Sequence, residues 1–175
     1  LTGPTGCGKS SVLKCVYRTY LPCAGRILYY PEQGAPTDLG LADEHTVLRL
    51  RKEQIGFVTQ FLSHLPRRET LDVVAQPLYK QGVGRDEGRD RAAALLAELN
   101  IPERLWTVSP STFSGGERQR VNLARAVIAK HKLMLMDEPT ASLDRGAIAV
   151  VETIIKRLLA DGVAILAVFH DMALV

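Results

Sequence analysis

Eight residues near the start of the chain, Gly3-Pro4-Thr5-Gly6-Cys7-Gly8-Lys9-Ser10, place glycines, a lysine and a hydroxyl at the spacing G-x-x-x-x-G-K-[ST]. Residues of those types in that pattern can hold a triphosphate. Glycines let the backbone curl until successive N–H groups point at phosphate oxygens. Lys9 would add an ammonium for the β- and γ-phosphates, and the Ser10 hydroxyl could ligate Mg²⁺. The run that follows, Ser11-Val12-Leu13-Lys14-Cys15-Val16-Tyr17, reads as a helix whose positive N-terminal end faces the anion. Taken alone, the segment could still be a glycine-rich turn with a chance lysine.

Two further segments have chemical potential. Leu133-Met134-Leu135-Met136 reads as a buried strand, and Asp137 and Glu138 follow at its C-terminal edge, where α/β sheets place their ligands. Buried carboxylates are costly without a partner. Next to a phosphate loop, Asp137 could hold Mg²⁺ and Glu138 could polarise an attacking water. The third segment is Ser111-Thr112-Phe113-Ser114-Gly115-Gly116-Glu117-Arg118-Gln119-Arg120. Ser114 is placed as an N-cap, and two glycines expose backbone at a helix start, which makes a second anion site. A merely well-capped helix fits that segment equally well.

The elements that must position these residues alternate between strand and helix. Helices are predicted over residues 9–20, 69–81, 86–100, 115–130 and 147–159, with Pro77 expected to kink or interrupt the second. The stripe of the last comprises Ile148, Val151, Ile155, Leu158 and Leu159. Strands are predicted over 26–30, 55–59 (just before Gln60), 133–136 and 163–169. Residues 31–44, rich in Gly, Pro and Asp, read as loop. Continuously apolar strands between amphipathic helices argue for an α/β sandwich around a mostly parallel sheet.

Length and composition set limits. With 175 residues, 46% of them hydrophobic, the chain can bury a core of its own. The net charge of +3 is too small, and its arginines too scattered, to indicate nucleic acid. No apolar run approaches the roughly 18–20 residues that cross a bilayer, so no membrane insertion is expected. Cys7, Cys15 and Cys23 are odd in number and form no C-x-x-C pair, which suggests free thiols in a reducing cytoplasm. The chain starts with Leu1, with no strand ahead of the phosphate loop, and stops soon after an apolar strand. It is expected to be a fragment of a larger domain.

Together these segments resemble the ATP-binding cassette (ABC) ATPases, whose signature motif is commonly Leu-Ser-Gly-Gly-Gln. Here Phe113 and Glu117 stand in its first and last places. Other family elements follow in order: Gln60 is similar to the Q-loop glutamine, Ser142-Leu143-Asp144 to the D-loop, and His170 to the switch histidine. The resemblance implies a P-loop NTPase of the α/β class over residues 1–175, truncated at both ends, with a helical signature subdomain at about 61–125. It implies ATP and Mg²⁺ as ligands, and Glu138, His170 and Gln60 as catalytic residues. Ser10, Gln60 and Asp137 would serve the metal. Gly3, Pro4, Thr5, Gly6, Cys7, Gly8, Lys9, Ser10 and Ser11 would contact the nucleotide, as would Ser114, Gly115, Gly116 and Asp144. A second cassette, identical or a sister subunit, is implied in a head-to-tail pair. The family's adenine-stacking aromatic falls before the phosphate loop, and Tyr29 and Tyr30 come too late to replace it.

A narrower resemblance is to the L-subunit family of the phosphonate carbon–phosphorus (C–P) lyase system. It rests on residues 13–22, 58–62 and 73–78, on Pro102-Glu103-Arg104-Leu105-Trp106 with residues 109–117, and on Val168-Phe169-His170-Asp171. It implies a cytoplasmic ATPase working with the other soluble lyase subunits, supporting conversion of phosphonate plus ATP to ribose 1-phosphonate 5-triphosphate. The alternative is the ATPase subunit of a transporter of the lipoprotein- or macrolide-exporter type.

Overall fold

Three apolar strands, β3 (Ile55–Val58), β4 (Leu133–Asp137) and β5 (Ala164–Val168), form a parallel sheet in that order in the computed structural model. The model describes residues 1–4, 6–32, 34–60, 62 and 67–169. The register sets Val58 beside Met136 and Asp137 beside Val168, so the C-terminal edge of the sheet presents Asp137. Two residues each of β1 (Leu28–Tyr29) and β2 (Thr37–Asp38) pair antiparallel as a separate ribbon.

Helices cover the sheet because parallel strands need crossovers, and a helix buries its apolar stripe against them. On one side α1 (Lys9–Val16) inserts the fully buried Leu13 among Leu39, Leu50, Ile55, Leu135 and Val168. The larger core joins α3 (Thr70–Lys80), α4 (Arg85–Glu98), α5 (Gly115–Val127) and α6 (Arg145–Ala160) to β4 through Val74, Leu96, Val121, Met134, Met136 and Ile154. The close approach of α3 to α4 depends on Gly88. A Cβ there would lie 2.6 Å from Cε1 of Tyr79. The same junction is tied by Asp72, which accepts from Tyr79 Oη at 3.0 Å and from Arg85 and Arg89 at 2.9 Å each.

Several elements differ from the sequence expectation, each for a local reason. Helix α2 (Glu44–Glu53) fills a stretch in which no helix is predicted. Asp43 caps it by accepting from Thr46 N at 2.8 Å, and Val47 and Leu50 alone give its buried face. The 31–44 stretch is not all loop, since it contains β2. Helix α1 stops at Val16 because Arg18 turns left-handed (φ 65°), and the N–H groups of Thr19 and Tyr20 fold back to Lys14 O. The guanidinium of Arg18 donates to the carbonyls of Leu39 and Ala42, which fixes that turn. Helix α3 continues through Pro77, with Gln81 N still reaching Pro77 O at 3.2 Å. Proline forfeits one backbone bond there, and the buried Val73, Val74 and Leu78 hold the helix regardless. The inward face of α6 is Ala147, Val151 and Ile154, at spacing i, i+4, i+7, while Leu159 is 54% exposed. Strand β5 is graded from exposed Ala164 to buried Val168 rather than covered throughout. Beside it the backbone nitrogen of Leu1 donates to Ala167 O at 2.6 Å.

Candidate functional site

The phosphate loop is built from backbone that side chains resist. Gly6 and Gly8 sit at φ 82° and 93°, left-handed conformations in which a Cβ is strained although space is open around both. Gly8 is the N-cap of α1 and offers no side-chain acceptor, so the first N–H groups of that helix remain directed at an incoming anion. Lys9 bends over the loop, its Nζ donating to Gly3 O at 2.7 Å and Pro4 O at 2.9 Å, with Cys7 Sγ at 3.9 Å. All three cysteines are free thiols, and Cys7 is exposed. Pro4 is exposed, Ser11 lies on the exposed side of α1, and Thr5 lies outside the described residues.

Tertiary folding joins this loop to the sheet. Ser10 Oγ donates to Asp137 Oδ1 at 2.8 Å, although 127 positions separate them. Asp137 is only 4% exposed, at the last position of β4. A hydroxyl and a carboxylate oxygen at that spacing are hard donors that suit Mg²⁺, which takes few protein ligands and completes its shell with water and phosphate oxygens. Among the described residues there is no cluster of three His, Cys, Asp or Glu.

Glu138 follows in a left-handed conformation, φ 52°. Its N–H continues the sheet pairing to Val168 O at 3.1 Å, and its carbonyl accepts from Ala141 N at 3.1 Å and Gln119 Nε2 at 3.2 Å. The next residues reach Ser142, also left-handed at φ 63°, and Asp144. The Asp144 carboxylate caps α6, accepting from Ala147 N at 2.8 Å. Gln60 is exposed, two residues past the end of β3, and the preceding carbonyl of Thr59 accepts from Asn122 Nδ2. His170 lies outside the described residues.

Ser114, Gly115 and Gly116 open α5 with a capping box. Ser114 Oγ accepts from Glu117 N at 3.3 Å, while Ser114 N and Oγ donate to Glu117 Oε2 at 2.9 and 2.7 Å. Those bonds from Ser114 hold the Glu117 carboxyl below its ordinary pKa. They also give glutamate a structural use in the last place of the signature. Phe113, in the first place, is buried in the helical core. A Cβ on Gly116 would come within 3.1 Å of Ser142 O, so glycine allows the two loops to touch.

Two buried side chains on α5, Gln119 and Asn122, are not singled out by sequence motifs. Their signal was present: amides amid the apolar residues Val121, Leu123 and Ala124. Asn122 and Thr59 also border a groove of about 580 Å³ lined by Arg51, Lys52, Lys80 and Arg125 and, among the described residues, by no carboxylate.

A glycine loop on a helix N-terminus, its hydroxyl bonded to a strand-end carboxylate of a parallel sheet, defines a P-loop NTPase. The model of the ABC transporter family matches residues 1–141. The chain belongs to that family, which implies ATP binding with Mg²⁺ and ATP hydrolysis. It is 36% identical over 172 residues to the lipoprotein-releasing system ATP-binding protein LolD of Shewanella sp. (strain MR-4), covering 98% of this chain and 72% of that protein. It is 38% identical over 169 residues to the macrolide export ATP-binding/permease protein MacB of Rhodopseudomonas palustris (strain BisB18), covering 97% of this chain but 25% of that one. The ATP-binding cassette MJ0796, in a dimeric post-hydrolysis state bound to ADP and Pi, superposes with a TM-score of 0.88. The two are 30% identical, and the match covers 98% of this chain and 74% of MJ0796.

These relatives correct the narrower expectation. Proteins matching nearly the whole chain are named for lipoprotein release and macrolide export, and the assignment to the phosphonate C–P lyase system, with its soluble subunits as partners, is overturned. Several residues in the stretches that suggested it serve packing. Leu13, Val73, Val74, Ala75, Leu78 and Phe113 are all buried, and Trp106 Nε1 bonds to Ile101 O. They report how this fold closes its core rather than what it acts on.

Proposed function

We propose that this chain is the ATP-hydrolysing subunit of an ABC transporter of the lipoprotein-release or macrolide-export type, acting on the cytoplasmic side of a membrane-spanning partner. The observation that supports it best is the near full-length likeness to LolD, combined with the Ser10–Asp137 contact. Residues 1–175 form part of the nucleotide-binding domain, with about 61–125 as its helical subdomain. Gly3, Pro4, Thr5, Gly6, Cys7, Gly8 and Lys9 wrap the β- and γ-phosphates of ATP, with Ser11 beside them in the first turn of α1. Ser10 and Asp137, with Gln60, would hold Mg²⁺, which would neutralise phosphate charge when bound. Glu138 accepts the proton of the attacking water, Gln60 orients that water, and His170 contacts the γ-phosphate. Water thus cleaves ATP to ADP and phosphate.

In the same reading, Ser114, Gly115, Gly116 and Asp144 serve a nucleotide held by a second cassette, in a head-to-tail pair. The similar cassette MJ0796 is dimeric. Ser114→Arg puts bulk and charge at that seam. The expected result is loss of hydrolysis and of ATP-driven pairing, with ATP binding to the single chain nearly intact. Light scattering with and without MgATP checks it, and normal pairing would remove Ser114 from the seam.

The basic groove is the surface we assign to an acidic segment of the membrane partner, because Arg51, Lys52 and Lys80 line it and, among the described residues, no carboxylate does. Affinity purification of the full-length protein from detergent-solubilised cells is expected to recover a membrane-spanning protein. Lys52→Glu with Lys80→Glu should lose that partner and keep ATP binding. Recovery of water-soluble partners alone would overturn the transporter reading.

A further inference from the structure

Helix α5 does more than present its first turn. Its buried face holds Gln119, 6% exposed, and Asn122, 4% exposed, three residues and so about one turn apart. Buried amides among apolar neighbours are costly unless they find partners. Both do, and the partners are revealing. Gln119 Nε2 donates to the carbonyl of Glu138 at 3.2 Å, and Asn122 Nδ2 donates to the carbonyl of Thr59 at 2.5 Å. One carbonyl belongs to the water-polarising residue itself. The other belongs to the peptide that leads into Gln60. Glu138 also holds a left-handed backbone that its Cβ disfavours, so its position depends on the bonds around it.

We propose that Gln119 and Asn122 are positioning residues for ATP hydrolysis. They pin the Glu138 peptide and the Thr59–Gln60 peptide to the one helix that begins at Gly115 and Gly116. The proposal rests on the roles assigned above to Glu138 and Gln60. Its mechanical content is specific. The first turn of α5 touches Ser142 and Leu143, and a second cassette would press on that turn. A helix is stiff along its axis, so a shift there is delivered together to both carbonyls, one and two turns further on. Closure of the pair then sets Glu138 and Gln60 in the same movement. Small displacements of groups that orient an attacking water have large effects on rate and little effect on substrate binding.

The test uses the full-length protein and steady-state ATPase kinetics, with thermal unfolding as a control for the fold. Gln119→Met removes the donor and keeps most of the volume. It should lower kcat by roughly 10- to 100-fold while KM for MgATP and the melting temperature stay near those of the parent. Asn122→Ala should behave in the same way through Gln60, and it provides the readout if Gln119→Met does not fold. In a Glu138→Gln background, Gln119→Met should cause no further loss, because both act on one group. An unchanged kcat in both well-folded variants overturns the proposal, as does a parallel fall in stability, ATP affinity and rate, the mark of a purely structural role. If Glu138→Gln alone keeps normal turnover, the assignment of Glu138 fails first. If Glu138→Gln is inactive and Gln119→Met fully active, only the positioning role fails.

Discussion

Glu138→Gln is expected to bind MgATP as the parent does and to hydrolyse it about 10²-fold more slowly or worse. The amide has the shape of the carboxylate, and its oxygen can still accept a hydrogen bond from a water, but it cannot take the proton that the attacking water must lose. Binding should be spared because the phosphate contacts proposed above lie elsewhere, on the loop amides and Lys9, with the linked Ser10 and Asp137 proposed for the metal. The backbone of Glu138 is spared too, since its N–H to Val168 and its carbonyl bonds to Ala141 and Gln119 do not involve the side chain. A stalled cycle follows from this. Each ATP held between two cassettes stays intact, so the variant should accumulate as an ATP-bound dimer, visible by light scattering and reversed when ADP replaces ATP. Near-normal turnover would move the proton acceptor elsewhere, with His170 the next residue to test.

The parts of this site that could be read directly were contiguous. Gly3 to Ser10 is a short pattern in which each residue meets a local demand, and the positive φ angles of Gly6 and Gly8 show that demand in the fold. Asp137 was legible because an apolar strand ending in carboxylates is physically odd. Other features depend on contacts between distant residues. Nothing near Ser10 announces that Asp137, 127 positions away, accepts its hydroxyl. Helix α2 escaped because it is dominated by charged residues, and a single aspartate cap with two buried side chains is a weak periodic signal. Gln119 and Asn122 lie inside an apolar stripe, where an amide looks like noise until its carbonyl partner is located. The particular transport or metabolic role was the least legible. Several residues of the segments that pointed to phosphonate chemistry, Leu13, Val74 and Phe113 among them, are buried in the core and serve packing.

Lys9→Ala is expected to weaken ATP binding by about 10- to 100-fold, since a charge-assisted hydrogen bond contributes roughly 1.5–3 kcal/mol. The geometry shows why the loss should be selective. Lys9 Nζ rests on the carbonyls of Gly3 and Pro4, two exposed bonds on the loop itself, so removing it should hardly disturb the fold. In the proposed complex with ATP, the same ammonium would reach oxygens on the β- and γ-phosphates. The loop amides and the N-terminus of α1 remain in the variant and retain part of the affinity. Arginine is not an equivalent replacement, because a planar guanidinium is larger than the ammonium that this tight loop surrounds. Calorimetry on the full-length protein separates the contributions. ATP and ADP should both bind more weakly to Lys9→Ala, whereas AMP, which has no β- or γ-phosphate, should bind the variant and the parent alike. Equal ATP affinity in the two proteins would remove the phosphate-loop assignment, and an equal loss for AMP would show that the substitution had damaged the loop rather than removed a phosphate contact.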